Sequence, residues 1–148
     1  MTATRSSEYR KLELDSSNDL IRHDARRGDG KYSEAVRHAF QAGAARAQMG
    51  QMMFDAGEFV SATEDWLSAA ACFLLAVEPK RMRDAFERAQ TLVREGKIPT
   101  GRGDIHAALK EREEQLLVLD QRSSPPTDPD RARQPDSLAP LYDTPSSP

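Results

Sequence analysis

Apolar residues recur every three or four positions along the middle of the chain, which is the spacing of one face of an α-helix. From Lys31 to Ala56 this stripe consists of Tyr32, Val36, Phe40, Gly43, Ala47, Gly50 and Phe54. Similar stripes run from Glu58 to Val77, from Pro79 to about Gly96 and from Asp104 to about Gln121, and a short helix from Asn18 to about Arg27 precedes them. The pattern predicts an all-α fold of four to five helices, packed as an antiparallel bundle or a stack of helical hairpins.

The composition of the same region favours helices. Seventeen of the twenty alanines lie between Ala25 and Ala108, whereas the chain has only five valines and three isoleucines. Gly43 and Gly50 interrupt the longest stripe, and each costs about 1 kcal/mol relative to alanine inside a helix. We therefore expect another helix to approach closely at these two glycines.

The two ends of the chain have a different character. Residues 1–17 are rich in Ser, Thr, Arg and Glu, which predicts a disordered arm. Residues 122–148 contain seven of the nine prolines and predict a disordered tail, which leaves 18–121 as the helical domain. One apolar island interrupts the tail at Leu138, Leu141 and Tyr142. This island is either a chance cluster or a motif that docks in the groove of a partner.

The segment from Arg46 to Ala69 resembles one tetratricopeptide repeat. The matching residues are Met49-Gly50, Met53-Phe54, Gly57-Glu58-Phe59-Val60-Ser61-Ala62, Trp66 and Ala69. The resemblance implies a hairpin stack with a groove for a peptide or a partner helix, and no catalysis. Arg46 departs from the pattern because the family usually has an aromatic residue there, and Pro79 comes later than the family's closing proline.

The chain is also similar to the small helical bundles of the HEPN class, through Gly57-Glu58-Phe59 and the alanine-rich helix that ends in Leu74-Leu75. The ribonucleases of that class need an arginine, then four to six residues, then a histidine. Arg102 and His106 are separated by only three residues. The resemblance therefore implies an inactive member.

No combination of residues in the sequence predicts catalysis, a cofactor or a metal site. The three histidines lack metal-ligand spacing, and we expect them at the surface or at helix ends. Cys72 lies alone in an apolar run, which predicts a buried core thiol and a reducing compartment. We see no secretory signal, and the longest apolar stretch, from Leu67 to Val77, is too short to span a bilayer. We predict a cytoplasmic protein that is neither an enzyme nor a membrane protein.

Basic residues supply the remaining candidates for a site. Arg81, Arg83 and Arg88 lie on the helix that begins at Pro79, either as a solvated face or as a surface for an anion or nucleic acid. Arg112 falls on the apolar stripe of the last helix, so that stripe is either imperfect or faces a partner. A net charge of -3 gives no independent support for nucleic acid.

The sequence therefore predicts a non-enzymatic adaptor or scaffold that binds another protein through a helical groove, through its tail, or through both. The predicted partner-binding residues are Arg46, Arg81, Arg83, Arg88, Arg112, Leu138, Leu141 and Tyr142. The alternative is an accessory subunit associated with nucleic acid or derived from the HEPN class. A homo-oligomer is a further expectation, because Glu111, Glu113 and Glu114 would pair with a basic face of a neighbouring copy.

Overall fold

The computed structural model describes residues 6–123, which fold into five α-helices without a strand. In chain order these are α1 (Ser7–Gly28), α2 (Tyr32–Asp55), α3 (Phe59–Leu75), α4 (Pro79–Arg94) and α5 (Gly103–Ser123). The prediction of an all-α helical bundle is confirmed. The predicted tail beyond Ser123, with its apolar island, lies outside the described residues.

Three of the four connections between helices are turns of three residues with the same hydrogen bonding. The last residue of each turn donates its backbone N–H to the carbonyl five positions earlier: Lys31 to Arg26 at 2.8 Å, Glu58 to Met53 at 2.8 Å and Glu78 to Phe73 at 2.9 Å. This is the Schellman pattern, which satisfies carbonyl groups at the end of a helix. Because the turns are so short, successive helices from α1 to α4 fold back on one another as antiparallel pairs.

The middle residue of each turn adopts a left-handed backbone. Gly30 and Gly57 do so at φ 77° and 79°, but the equivalent residue after α3 is Val77, at φ 55°. The sequence predicted that this helix would continue to Val77, and the structure ends it at Leu75. Pro79 explains the early end, because a proline disfavours the helical conformation of the residue before it. Glu78 accordingly has φ -118° and ψ 81°.

The first helix corrects the predicted N-terminal arm. Residues 7–17 are helical, so the prediction of disorder over 1–17 is wrong from Ser7 onward. Ser6 caps the helix by accepting the N–H of Tyr9 at 3.2 Å. The predicted helix that begins at Asn18 is the second half of α1, and the first half was missed because its buried residues include the polar Ser16. His23 is 1% exposed, which also overturns its predicted surface position.

The second helix buries a different stripe from the predicted one. Its buried residues are Ala35, Ala39, Ala42, Gly43, Met49, Gly50 and Met53. Only the two glycines belong to both sets, and Phe54 from the predicted stripe is 40% exposed. The difference arises because α2 packs on both α1 and α3. Alanine and glycine therefore fill most of its buried face, with Met49 and Met53 as the only large members.

The third helix is the centre of the bundle. It packs on α2, α4 and α5, whereas α1 packs mainly on α2. Cys72 and Phe73, with 3% and 4% exposure, lie in its buried part, as predicted for Cys72. This arrangement leaves α2 and α4 on either side of α3, with a groove in the space between them.

Candidate interaction groove

A groove of about 350 Å³ lies between α2 and α4, with α3 as its floor. It is lined by Ala44, Ala47, Gln48 and Gln51 from α2, Trp66 and Phe73 from α3, and Arg81, Asp84, Ala85 and Arg88 from α4. Its volume falls within the range of roughly 300–1,000 Å³ that is usual for ligand pockets. We refer to these ten residues as the groove.

The floor depends on two glycines of α2. A Cβ atom built on Gly50 would lie 2.5 Å from the Trp66 indole, and one on Gly43 would lie 2.8 Å from the Phe73 ring. Both distances are shorter than real Cβ contacts, so only glycine lets the aromatic rings lie this close to the α2 backbone. The predicted close approach of another helix at these glycines is confirmed.

The α4 wall carries two guanidinium groups held over aromatic rings. The Arg81 guanidinium lies 4.9 Å from the centre of the Phe40 ring, and that of Arg88 lies 5.7 Å from the Trp66 ring. Arg88 also donates to Gln51 Oε1 at 3.3 Å. Cation–π contacts at these distances position a guanidinium without neutralising its charge.

Two carboxylates lie near these cations. Arg81 Nε is 3.9 Å from Glu78 Oε1, and Asp84 lies between the two arginines on the same wall. The groove therefore has an apolar floor beside a wall whose two oriented guanidinium groups flank one carboxylate, and we refer to it as the cationic wall.

The α2 wall carries no charge. Between His38 and Phe54 the only charged residue is Arg46, which is half-buried away from the groove. Gln48 is exposed and lines the groove beside two alanines. A carboxamide offers both a donor and an acceptor to a peptide backbone. This wall was not predicted from the sequence, although a helix face without charged residues is a feature that would have indicated it.

Two of the three predicted arginines of α4 line the groove, and the third lies outside it. Arg81 and Arg88 line the groove, seven positions apart on one face of α4. Arg83 pairs instead with Asp120 of α5. The three arginines therefore do not form one continuous basic surface.

Arg46 lies in the interior, where it links three helices. Its Nε donates to Ser16 Oγ of α1 at 3.0 Å, and its Nη1 donates to Ser68 Oγ of α3. These contacts give Arg46 a structural role, and its role in partner binding stays a prediction.

Arg112 belongs to α5 and is remote from the groove. Its side chain is 18% exposed, and Nη1 donates to Gln115 Oε1 at 2.6 Å. Partner binding by Arg112 also stays a prediction, and Leu138, Leu141 and Tyr142 lie outside the described residues.

The buried thiol of Cys72 lies close enough to Arg46 and Arg112 to feel their charges. Burial raises its pKa to about 11, although both arginines act in the opposite direction. The thiol is therefore protonated at neutral pH and a poor nucleophile. Within residues 6–123, no three His, Cys, Asp or Glu side chains converge as metal ligands would.

The geometry defines an all-α bundle with an aromatic-floored, cationic groove. The chain matches no protein-family model, no curated protein and no solved structure. In the part that the structure describes, no helix has both the length and the apolar character needed to cross a membrane. The resemblances to tetratricopeptide repeats and to the HEPN class stay predictions.

Proposed function

We propose that this chain is a non-catalytic interaction module that binds an acidic segment of a partner protein in the groove between α2 and α4. The observation that carries the proposal is the pair Arg81 and Arg88, whose guanidinium groups are held over aromatic rings beside a buried aromatic floor. Oriented cations next to an apolar recess suit a segment in which carboxylates flank an apolar anchor.

The spacing of the cations defines the segment further. Arg81 and Arg88 are seven positions apart, a rise of about 10 Å along α4. Two carboxylates seven residues apart on a partner helix, or about three residues apart on an extended strand, span a similar distance. An apolar side chain between them would reach towards Trp66 and Phe73, and Gln48 would bond to an exposed backbone group.

Nucleic acid fits the groove less well than a protein segment does. Asp84 lies between the two arginines, where a nucleic acid would place further backbone phosphates and the proposed segment would place its apolar anchor. Arg83 is paired with Asp120, so it does not extend the cationic wall. A cytoplasmic location is part of the proposal and rests on the single buried Cys72 thiol, which suits a reducing compartment.

A displayed library of random peptides tests the proposal. Selection on the full chain, with counter-selection on Arg81→Glu/Arg88→Glu, is expected to enrich peptides that carry two acidic residues around an apolar one. Trp66 is the only tryptophan of the chain and lines the groove, so its fluorescence reports binding there. For the enriched peptides we expect a loss of roughly 10- to 100-fold in affinity on double charge reversal.

Lys80→Glu/Arg94→Glu is the matched control, because it reverses two exposed charges of the same helix outside the groove. It should leave affinity within about twofold of the wild type, given the weak effect of charges away from an interface. Peptides that bind both double variants equally well, or that leave Trp66 emission unchanged, would contradict the proposal. Tight, strongly salt-dependent binding of single-stranded RNA would favour the nucleic-acid alternative instead.

A further inference from the structure

The most exposed large apolar side chains of the described residues are concentrated on the two terminal helices. Leu14 and Ile21 of α1 are 61% and 67% exposed, and Leu117 and Val118 of α5 are 58% and 43% exposed. Leu14 and Ile21 are seven residues apart and so lie on the same face of α1. Exposed apolar groups that recur on one surface often mark a place where another protein packs.

The α5 surface includes a recess of about 400 Å³ with an acidic rim. Leu74 and Val118 supply its apolar lining, and Glu111, Glu114 and Gln115 supply its polar lining. Leu117 is the next exposed residue beside Val118. We define the α5 end surface by Leu74, Glu111, Glu114, Leu117 and Val118. It fits an apolar side chain that is accompanied by a cation.

The α1 surface has this combination. Lys11 lies one turn before Leu14, and Arg22 follows Ile21, so we define the α1 end surface by these four residues. Lys11 is 3.8 Å from Asp15 and Arg22 is 3.7 Å from Asp19, each within α1. Lys11 and Arg22 are 79% and 56% exposed, although Asp19 is only 13% exposed. Ion pairs as long as these are weak, so both cations can also contact new partners.

We propose that a second copy of this chain places its α1 end surface on the α5 end surface of the first. Leu14 or Ile21 would enter the recess, and Lys11 and Arg22 would approach Glu111 and Glu114. Contacts between two identical ends would bring like charges together, since one end surface is basic and the other acidic. The contact is therefore heterologous, and it leaves one unoccupied end on each outer copy. This inference is independent of the groove and of the proposed function.

Heterologous association makes a prediction that like-with-like association does not. We would measure the mass of the full chain by sedimentation over a range of concentrations. The wild type should grow beyond a dimer as concentration rises, and added salt should weaken its association. Leu14→Glu/Ile21→Glu disables only the α1 end surface, and Leu117→Glu/Val118→Glu disables only the α5 end surface. Each double variant should be monomeric alone, whereas an equimolar mixture should form a dimer and nothing larger.

The four substituted side chains are exposed, so both variants should retain the helical signal and unfolding midpoint of the wild type. Thr91→Glu/Thr100→Glu adds the same charge at exposed positions outside both surfaces and should associate like the wild type. A wild type that stays monomeric at its highest soluble concentration would overturn the proposal. So would a mixture that associates no more than its separate components, or either double variant forming a dimer by itself.

Discussion

The two sides of α3 are held to their neighbours by different kinds of contact. Towards α2 the contact is close packing, because the rings of Phe73 and Trp66 lie against Gly43 and Gly50. Between α1, α2 and α3, a polar link formed by Arg46, Ser16 and Ser68 crosses the bundle. We refer to these as the aromatic contact and the polar link. Close packing specifies the first, and hydrogen bonding of buried groups specifies the second.

The aromatic contact borders the groove, whereas the polar link does not. Trp66 and Phe73 are only 3% and 4% exposed, yet both line the groove. The polar link forms its hydrogen bonds within the bundle, because the Arg46 guanidinium donates to hydroxyl groups of α1 and α3. We infer that a partner binds in the groove beside the aromatic contact and that the polar link stabilises the bundle.

The largest effect is expected at the aromatic contact, on replacing Gly50 by valine. Its Cβ would meet the indole at 2.5 Å, and Trp66 is only 3% exposed, so the ring cannot move out easily. Overpacking of this kind should lower the free energy of unfolding by about 3 kcal/mol. Urea unfolding measures this loss, and the near-ultraviolet circular dichroism of Trp66 should change with it.

Gly28→Val is the matched control, because no atom lies within 4 Å of the Cβ position at this end of α1. It should change the free energy of unfolding by roughly 0.5 kcal/mol or less. If the two valine variants are equally stable, the close fit at Gly50 does not hold the aromatic contact together.

The polar link should show the next largest effect, on replacing Arg46 by alanine. The change removes hydrogen bonds from a charged donor to two helices, and each such bond contributes about 1.5–3 kcal/mol. Because the serines regain some hydration, we expect a net loss of about 2 kcal/mol in the free energy of unfolding. Urea unfolding again provides the measurement.

Arg37→Ala changes an exposed arginine of the same helix and should have an effect within about 0.5 kcal/mol of zero. Arg46→Lys should recover part of the loss, because an ammonium group retains the charge but not the forked geometry. If the two alanine variants are equally stable, the polar link does not stabilise the fold.

The aromatic contact was largely predictable from sequence. A glycine inside a helix lowers its stability, so two glycines at helical spacing in an apolar stripe indicate close packing by another helix. Gly43 and Gly50 do pack closely against α3. The ends of α2 and the start of α4 were also predictable to within one residue, because Gly57 and Pro79 act locally on the backbone. Residues that act locally on the backbone, together with helical periodicity, therefore predicted most of the helices.

The polar link was not predictable, because its members are far apart in sequence. Arg46 lies 30 residues from Ser16 and 22 from Ser68, and no periodicity relates them. The same applies to Tyr9, whose hydroxyl donates to Asp65 at 2.7 Å across 56 residues. These long-range polar contacts explain why α1 was missed in its first half.

The candidate site was predictable in part. The basic character of α4 indicated Arg81 and Arg88, but it indicated Arg83 equally. Only the packing of α5 shows that Arg83 faces Asp120 and not the groove. Trp66 and Phe73 are both core residues and the floor of the groove.

A smaller effect is expected at Cys72, which lies beside the polar link. Burial raises its folded pKa to about 11 from the ordinary value of 9.0. The folded state thus favours the protonated thiol. The protonated thiol therefore contributes its full stabilisation of the folded state below pH 9, and this contribution is lost as the pH rises towards 11. Relative to Cys72→Ala, the wild type should lose about 1 kcal/mol between roughly pH 8 and pH 10.

Paired urea unfolding curves of the two proteins across that range give the difference directly, and other titrating groups cancel between them. A thiol reagent should also leave Cys72 unmodified until urea unfolds the chain. Rapid modification in the folded state, or a constant difference in stability across the range, would contradict this assignment.

The smallest effect is expected at Arg102, which links α3 to the start of α5 by exposed groups. Arg102 donates to Glu64 at 2.8 Å and to both carboxylate oxygens of Asp104 at 2.8 and 3.0 Å. The guanidinium lowers the pKa of Asp104 to about 2 from its ordinary value of 3.8. The folded state thus favours the carboxylate, so its contribution is present above pH 3.8 and disappears as the pH falls through about 2.

Asp104→Asn should therefore unfold at slightly lower urea than the wild type at neutral pH, and the two midpoints should converge in acid. High salt should also reduce the difference, because the three side chains lie at the surface. Glu87→Gln removes an exposed carboxylate from α4 and should show no such convergence. A difference at Asp104 that persists at pH 2 would mean that its side chain acts through the start of α5, and not through the charge of Arg102. In that case the polar contacts around α3 would not include an electrostatic link at this end of the helix.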